Sequence, residues 1–190
     1  MAGEPEEGSS SASTSAKSTA SRRRRRWHWS LDVALAVLVF LGLQAWFTRD
    51  VVRGALPVLD GPLVASASHD AQAWRADAGR DGFMLYVWAT WCAVCKTIEG
   101  NVDRVARGAP VLTLAMQSGT APDVAAELAK RGLRWPTLVD GPGELSRSLG
   151  VDAVPTLIFV DRHGTVRSVT QGYTTELGIR ARLWWAQRAG

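Results

Sequence analysis

The chain has 190 residues, 46% hydrophobic and 21% charged, a length that holds one globular domain with accessory segments. The formal charge of +4 is local: residues 1–26 carry Lys17 and Arg22–Arg26 against Glu4, Glu6 and Glu7, and the rest is almost balanced. A basic tail ahead of a near-neutral domain argues against nucleic-acid binding, which needs basic residues clustered on a folded face. Two cysteines exclude a disulfide-dense scaffold and any all-cysteine zinc site.

Residues 1–21 are mostly Ser, Ala, Gly, Glu and Thr, too polar to offset their ordering entropy, so 1–26 is expected to be a disordered tail ending in the arginine run. Val33–Phe47 is then apolar except for Gly42 and Gln44. As a helix, Leu31–Phe47 spans roughly 26 Å, near the lower limit for a hydrocarbon core of about 30 Å. Trp27, Trp29 and Trp46 flank it as an aromatic belt, and the arginines place that flank in the cytoplasm. Residues 27–47 are therefore read as a single-pass inner-membrane anchor, with everything after it in the periplasm. A cleaved signal peptide is the competing reading, but its best cleavage site, Leu43-Gln44-Ala45, puts a bulky Leu where a small residue is wanted. A buried core helix would not need arginines beside it. Residues 48–57 are expected to be a linker and 58–190 the folded domain.

Along that domain, Phe83–Trp88 is an apolar run that reads as a buried strand. Cys92 to Arg107 reads as a helix with Val94, Ile98, Val102 and Val105 at helical spacing. Val111–Met116 is a second strand. Thr120-Ala121-Pro122-Asp123 opens a helix with Thr as N-cap, an early Pro and an acid three residues on, and Gly132 ends it. Thr137–Val139 is a short strand and Glu144–Leu149 a short helix. Thr156–Val160 and Thr165–Thr170 flank the turn Asp161-Arg162-His163-Gly164 as a hairpin. Thr174 or Thr175 caps a last helix, with Leu177, Ile179, Leu183 and Trp184 as its apolar side. Alternation followed by a hairpin implies an α/β fold with a parallel core and added antiparallel strands.

The chemistry lies in Trp88-Ala89-Thr90-Trp91-Cys92-Ala93-Val94-Cys95-Lys96, which follows a strand and opens a helix. The first sulfur of such a pair sits at the exposed, positive end of the helix dipole, which favours its thiolate over a reference pKa of about 8.5. The second lies one turn inward and attacks a mixed disulfide. Cys92 is thus the candidate nucleophile and Cys95 the resolving thiol. A structural staple closing so short a loop would restrain little entropy. Zinc would want about four ligands, and His28, His69 and His163 are the only histidines. Trp91 is expected to shield the sulfur and to contact partners.

These residues resemble the thioredoxin fold, and the membrane-anchored TlpA/DsbE-like group in particular. Val151-Asp152-Ala153-Val154-Pro155-Thr156, followed by Ile158-Phe159-Val160-Asp161 and Gly164, is similar to that group's cis-proline loop and hairpin. Ala115-Met116-Gln117-Ser118-Gly119 and Gly172-Tyr173-Thr174-Thr175, with Arg182-Leu183-Trp184, resemble the subgroup of disulfide oxidoreductases typified by suppressor-of-copper-sensitivity protein D. The resemblance implies a central mixed sheet flanked by helices. It further implies a cis bond at Pro155 and a loop in which the Val154 backbone pairs with a substrate chain. It implies no bound cofactor and no metal, protein thiols and disulfides as partners, and a membrane electron donor of the DsbD type.

Departures from the group carry information. Tyr86 stands where many thioredoxins have a buried Asp. Ile98 stands where many relatives have a Glu, so Glu99 becomes the candidate proton relay. The insert Ala93-Val94 lacks the His of strongly oxidising relatives, which points to a reductant or isomerase. The reading is a thiol-disulfide oxidoreductase. The alternative is a copper-related dithiol binding module, since soft sulfur suits Cu(I). A peroxidase ranks last, because the Pro-x-x-x-Thr-x-x-Cys pattern is missing around Cys92.

Overall fold

The computed structural model describes residues 32–40, 42–46 and 48–190. The tail, the arginine run, Trp27, Trp29, Leu31 and Phe47 lie outside the described residues. Two compact units divide at Leu43 and Gln44. In the first, residues 32–40 and the start of 42–46 are helical, and Val33, Leu35, Val37, Leu38, Phe40 and Leu43 are at least half exposed. Among the described residues no helix is long and apolar enough to cross a membrane.

The second unit is one seven-stranded sheet with helices on both faces. Its strands are β1 (Gly54–Ala55), β2 (Leu63–Val64), β3 (Phe83–Trp88), β4 (Val111–Met116), β5 (Thr137–Asp140), β6 (Thr156–Val160) and β7 (Thr165–Gln171). They lie in the order β1-β7-β6-β3-β4-β5-β2. β3, β4 and β5 run parallel, and the other pairings are antiparallel. The helices are α1 (Ala71–Asp77), α2 (Ala93–Ala106), α3 (Ala121–Lys130), α4 (Glu144–Ser148) and α5 (Glu176–Arg188).

β3 is buried along its whole length, as a central strand covered on both faces must be. Period-two alternation sends Met84, Tyr86 and Trp88 into one layer, with Ile98, Val102 and Val105 of α2, Val124 and Leu128 of α3, and Ile179 and Leu183 of α5. Phe83, Leu85 and Val87 enter the other, with Trp74 of α1, Leu149 and Val151. Each fully buried Leu, Ile, Val or Phe contributes about 1.5–3 kcal/mol, so the strand is fixed from both sides. Its carboxyl end is then a rigid platform for residues 89–92.

The structure adds two strands and a helix that the sequence reading lacks. Gly54–Ala55 pairs with Val166 and Thr165, and Val51 and Leu56 are 2% and 8% exposed. Residues 48–57 are therefore part of the packed domain, not a linker. The reason is visible at the Val51–Val52 segment: the Val52 N–H donates to the Leu149 carbonyl, and Val51 joins the second core layer. The apolar side expected for α5 is also corrected. Ile179, Leu183 and Ala186 face the core, whereas Leu177 and Trp184 are 78% and 55% exposed. One inner face at i, i+4 and i+7 leaves no room for positions 177 and 184.

Candidate functional site

Three loops meet at the carboxyl ends of the parallel strands, where open α/β sheets place their sites. The loop after β3 carries Cys92, which is the N-cap of α2. Its Sγ accepts a hydrogen bond from the Cys95 N–H at 3.0 Å. An unpaired N–H of the first helical turn is thereby aimed at the first sulfur. Cys92 and Cys95 are joined as a disulfide with their Cα atoms 5.3 Å apart. The sequence places Cys92 at an exposed end, yet it is 5% exposed and Cys95 2%. The Val154 carbonyl oxygen lies 3.6 Å from the Cys92 Sγ.

Val154 and Pro155 form the opposing loop, and their peptide bond is cis. The loop is held by the Thr156 hydroxyl donating to the Ala153 carbonyl at 2.7 Å. The Gly172 N–H donates to the Pro155 carbonyl at 2.8 Å. Around the pair, Trp91 and Val94 stand out at 61% and 48% exposure, an apolar rim beside a buried disulfide. Lys96 is exposed on the helix flank.

The loop bearing Cys92 is tied to the loop after β4. The Thr90 N–H donates to the Ser118 Oγ at 3.0 Å, and the Trp91 indole N–H to the Gln117 carbonyl at 3.0 Å. The Ser118 hydroxyl itself donates to the Met116 carbonyl at 2.9 Å. Gln117 has φ of +46°, a left-handed turn that presents its carbonyl to Trp91. The family resemblance included the 115–119 stretch without a role, and no local spacing in the sequence signals one.

Below the dithiol lies a polar cluster within an apolar layer. Tyr86 is buried and packs edge-on against Trp135, whose ring is also edge-on to Trp88. Burial, reinforced by the Glu99 charge and opposed by Arg131, pushes the Tyr86 hydroxyl pKa up, so it is neutral at physiological pH. Glu99 lies four residues beyond Cys95, on the next turn of the same face, and accepts a hydrogen bond from Arg131 at 3.0 Å. The sequence reading has Glu99 as the candidate proton relay and leaves Arg131 out. Among the described residues no group of three or more His, Cys, Asp or Glu is placed to hold a metal ion.

A disulfide at a helix N-terminus, facing a cis-proline loop on this sheet, defines a thioredoxin-like protein. The chain belongs to the AhpC/TSA family, whose model matches residues 62–169. A relative named thioredoxin-like protein from Haemophilus influenzae is 31% identical over 108 residues, which is 56% of this chain and 64% of the relative. The chain thus matches less than two thirds of that relative's length. A probable thiol:disulfide interchange protein DsbE-2 from Pasteurella multocida is 27% identical over 71% of this chain and 72% of its own. A solved structure of a thiol:disulfide interchange protein from Chlorobium tepidum superposes with a TM-score of 0.58 at 21% identity, covering 73% of this chain and 99% of that one.

Proposed function

We propose that the chain is a protein thiol-disulfide oxidoreductase that works as a reductant or isomerase. The Cys92–Cys95 disulfide at the start of α2, opposed by the Val154 carbonyl, is the observation that carries this reading. In the reduced protein the Cys92 thiolate attacks a substrate disulfide, forming a mixed disulfide and releasing one substrate thiolate. Cys95 then loses its proton and attacks the Cys92 sulfur, releasing the second substrate thiolate. Two electrons have passed to the substrate, and the pair is left as the disulfide seen here. We assign the Cys95 proton to Glu99, on the adjacent turn. Trp91, Val154 and Pro155 receive the substrate chain, the Val154 backbone by strand addition. Turnover as a reductant then needs a dithiol donor, which the family resemblance supplies as a membrane protein of the DsbD type.

In this reading residues 27–47 anchor the chain in the inner membrane and the 48–190 domain faces the periplasm. The arginine run, the apolar 31–47 stretch and the exposed apolar side chains between Val33 and Leu43 support it. Insulin disulfide reduction, with the pair equilibrated against a glutathione series, tests the function. A potential near that of thioredoxin, about −270 mV, supports a reductant, and one near about −120 mV makes it an oxidase. Failure to exchange disulfides, with Cu(I) retained after dialysis, would replace the reading with metal binding.

A further inference from the structure

The guanidinium of Arg131, the residue that ends α3, sits with its side chain 11% exposed beneath the dithiol loop. Its Nε and Nη2 donate to Glu127 Oε1 at 2.8 and 2.5 Å. Nη1 donates to Glu99 Oε2 at 3.0 Å, and Nη2 also reaches the Thr90 carbonyl at 3.3 Å. The guanidinium carbon lies 5.8 Å from the Trp88 ring centroid, within cation–π range. One cation therefore joins α2, α3, the end of β3 and the loop two residues ahead of Cys92.

The arrangement has an electrostatic consequence. Two carboxylates and one guanidinium meet beside the loop that leads to Cys92. Glu99 acts on its buried neighbours, since its charge helps to raise the Tyr86 hydroxyl pKa while Arg131 opposes that rise. The groups facing Glu99 are Tyr86 from β3 and Arg131. Beyond Arg131 lies Glu127 of α3, which Lys130 and Lys96 also influence. Reduction of the disulfide places a new negative charge on Cys92. An unneutralised Glu99 one turn beyond Cys95 would oppose that charge.

We infer that Arg131 is a positioning residue for disulfide exchange: it fixes the Thr90 carbonyl ahead of Cys92 and cancels the Glu99 charge that would otherwise oppose the Cys92 thiolate. The inference rests on the oxidoreductase reading for its meaning, but its central claim concerns the thiolate alone. Lys at 131 supplies the charge but lacks the planar fork that bridges two carboxylates and a carbonyl.

The test titrates the reduced full-length protein by thiolate absorbance and by alkylation rate at pH 6, in wild type, R131M, R131K, E99Q and E99Q/R131M. R131M should lower Cys92 alkylation at pH 6 by about threefold to tenfold, the change in thiolate fraction for a pKa rise of about 0.5–1. It should also make the potential against glutathione more negative. R131K should recover most of the thiolate titration. E99Q/R131M, which carries no unpaired Glu99 charge, should return toward wild type. E99Q alone should alkylate at least as fast as wild type. Thermal unfolding identifies any variant that fails to fold, and R131K and the double variant keep the charge claim testable if R131M does. A wild-type titration in R131M, or a double variant as impaired as R131M, would overturn the inference. Because the thiolate is read without substrate, a wild-type protein that never reduces insulin would sink the oxidoreductase reading and leave this result standing.

Discussion

The Val154 carbonyl oxygen and the Cys92 Sγ lie 3.6 Å apart, although 62 residues separate them in the chain. The sheet creates this proximity. β3 and β6 are antiparallel neighbours, with Val87 opposite Thr156, so the loop leaving β3 and the loop entering β6 emerge at the same edge. The Val154 carbonyl is thereby set beside the first sulfur of the pair.

The two sulfurs should behave differently. The Cys95 N–H points at the Cys92 Sγ and would stabilise a thiolate there. Cys92 should therefore alkylate first at mildly acidic pH, as read by mass mapping of the reduced protein. Cys95→Ser should accumulate stable mixed disulfides, and Cys92→Ser should form few and lose almost all insulin reduction. Prior alkylation of Cys95 would reverse the assignment.

Pro155 brings no N–H to the loop that faces Cys92. Pro155→Ala adds a donor beside the substrate path and so should hold a bound chain longer. The expected outcome is severalfold slower release of mixed disulfides and clients trapped on Cys92 in non-reducing gels. Unchanged exchange kinetics would make the loop a bystander.

Gly150 has φ of +68°, and a Cβ there would overlap the Asp50 carbonyl oxygen. Gly150→Ala should therefore displace the 48–57 segment as well as strain its own backbone. A loss of about 2 kcal/mol or more is expected in denaturant unfolding. A neutral result would mean that the segment is not docked as described.

Asp161 is buried, and its carboxylate accepts from the His163 and Thr165 N–H groups at 2.8 Å each and from Arg167 Nε at 2.7 Å. Burial pushes its pKa up, but the bonds from Thr165, Arg167 and His163 outweigh it and hold the carboxyl below the usual carboxylate range. The folded pKa is thus depressed. Its stabilisation is complete above the unfolded value of about 3.9 and fades as pH falls through the folded one. Asp161→Asn should cost about 1–3 kcal/mol at neutral pH and flatten the acid limb of a stability–pH curve. An unchanged acid limb would assign that limb to other carboxylates.

The part of the fold legible in the sequence is the part with long apolar runs or a chemical helix start. Phe83–Trp88 is a continuous apolar run, Val111–Met116 and Thr156–Val160 are apolar but for Thr113 and Thr156, and the structure has all three as strands with the same bounds. Thr120 and Asp123 announced α3 chemically: the Thr120 N–H and hydroxyl both donate to the Asp123 carboxylate, at 2.9 and 2.6 Å. β1 and β2 were not legible, because two-residue strands such as Gly54–Ala55 have no period to detect. α1 did carry a signal, since the Asp70 side chain accepts from the Ala73 N–H at 2.8 Å and Ala71 and Trp74 share a buried face. At the site, Cys92, Cys95 and Pro155 are adjacent to recognisable neighbours in the chain. Ser118 and Arg131 act across 28 and 41 residues through Thr90, and no spacing encodes that.

Ser118, Gln117 and Arg131, all outside the Cys-x-x-Cys segment, grip Thr90 and Trp91 just ahead of Cys92. Ala93 and Val94 are exposed, and the Val94 carbonyl, accepting from Thr97 at 2.7 Å, is their tie to a side chain. The two residues between the sulfurs are therefore a replaceable cassette. A library randomised at 93 and 94 would span donor and acceptor strengths on one unchanged scaffold.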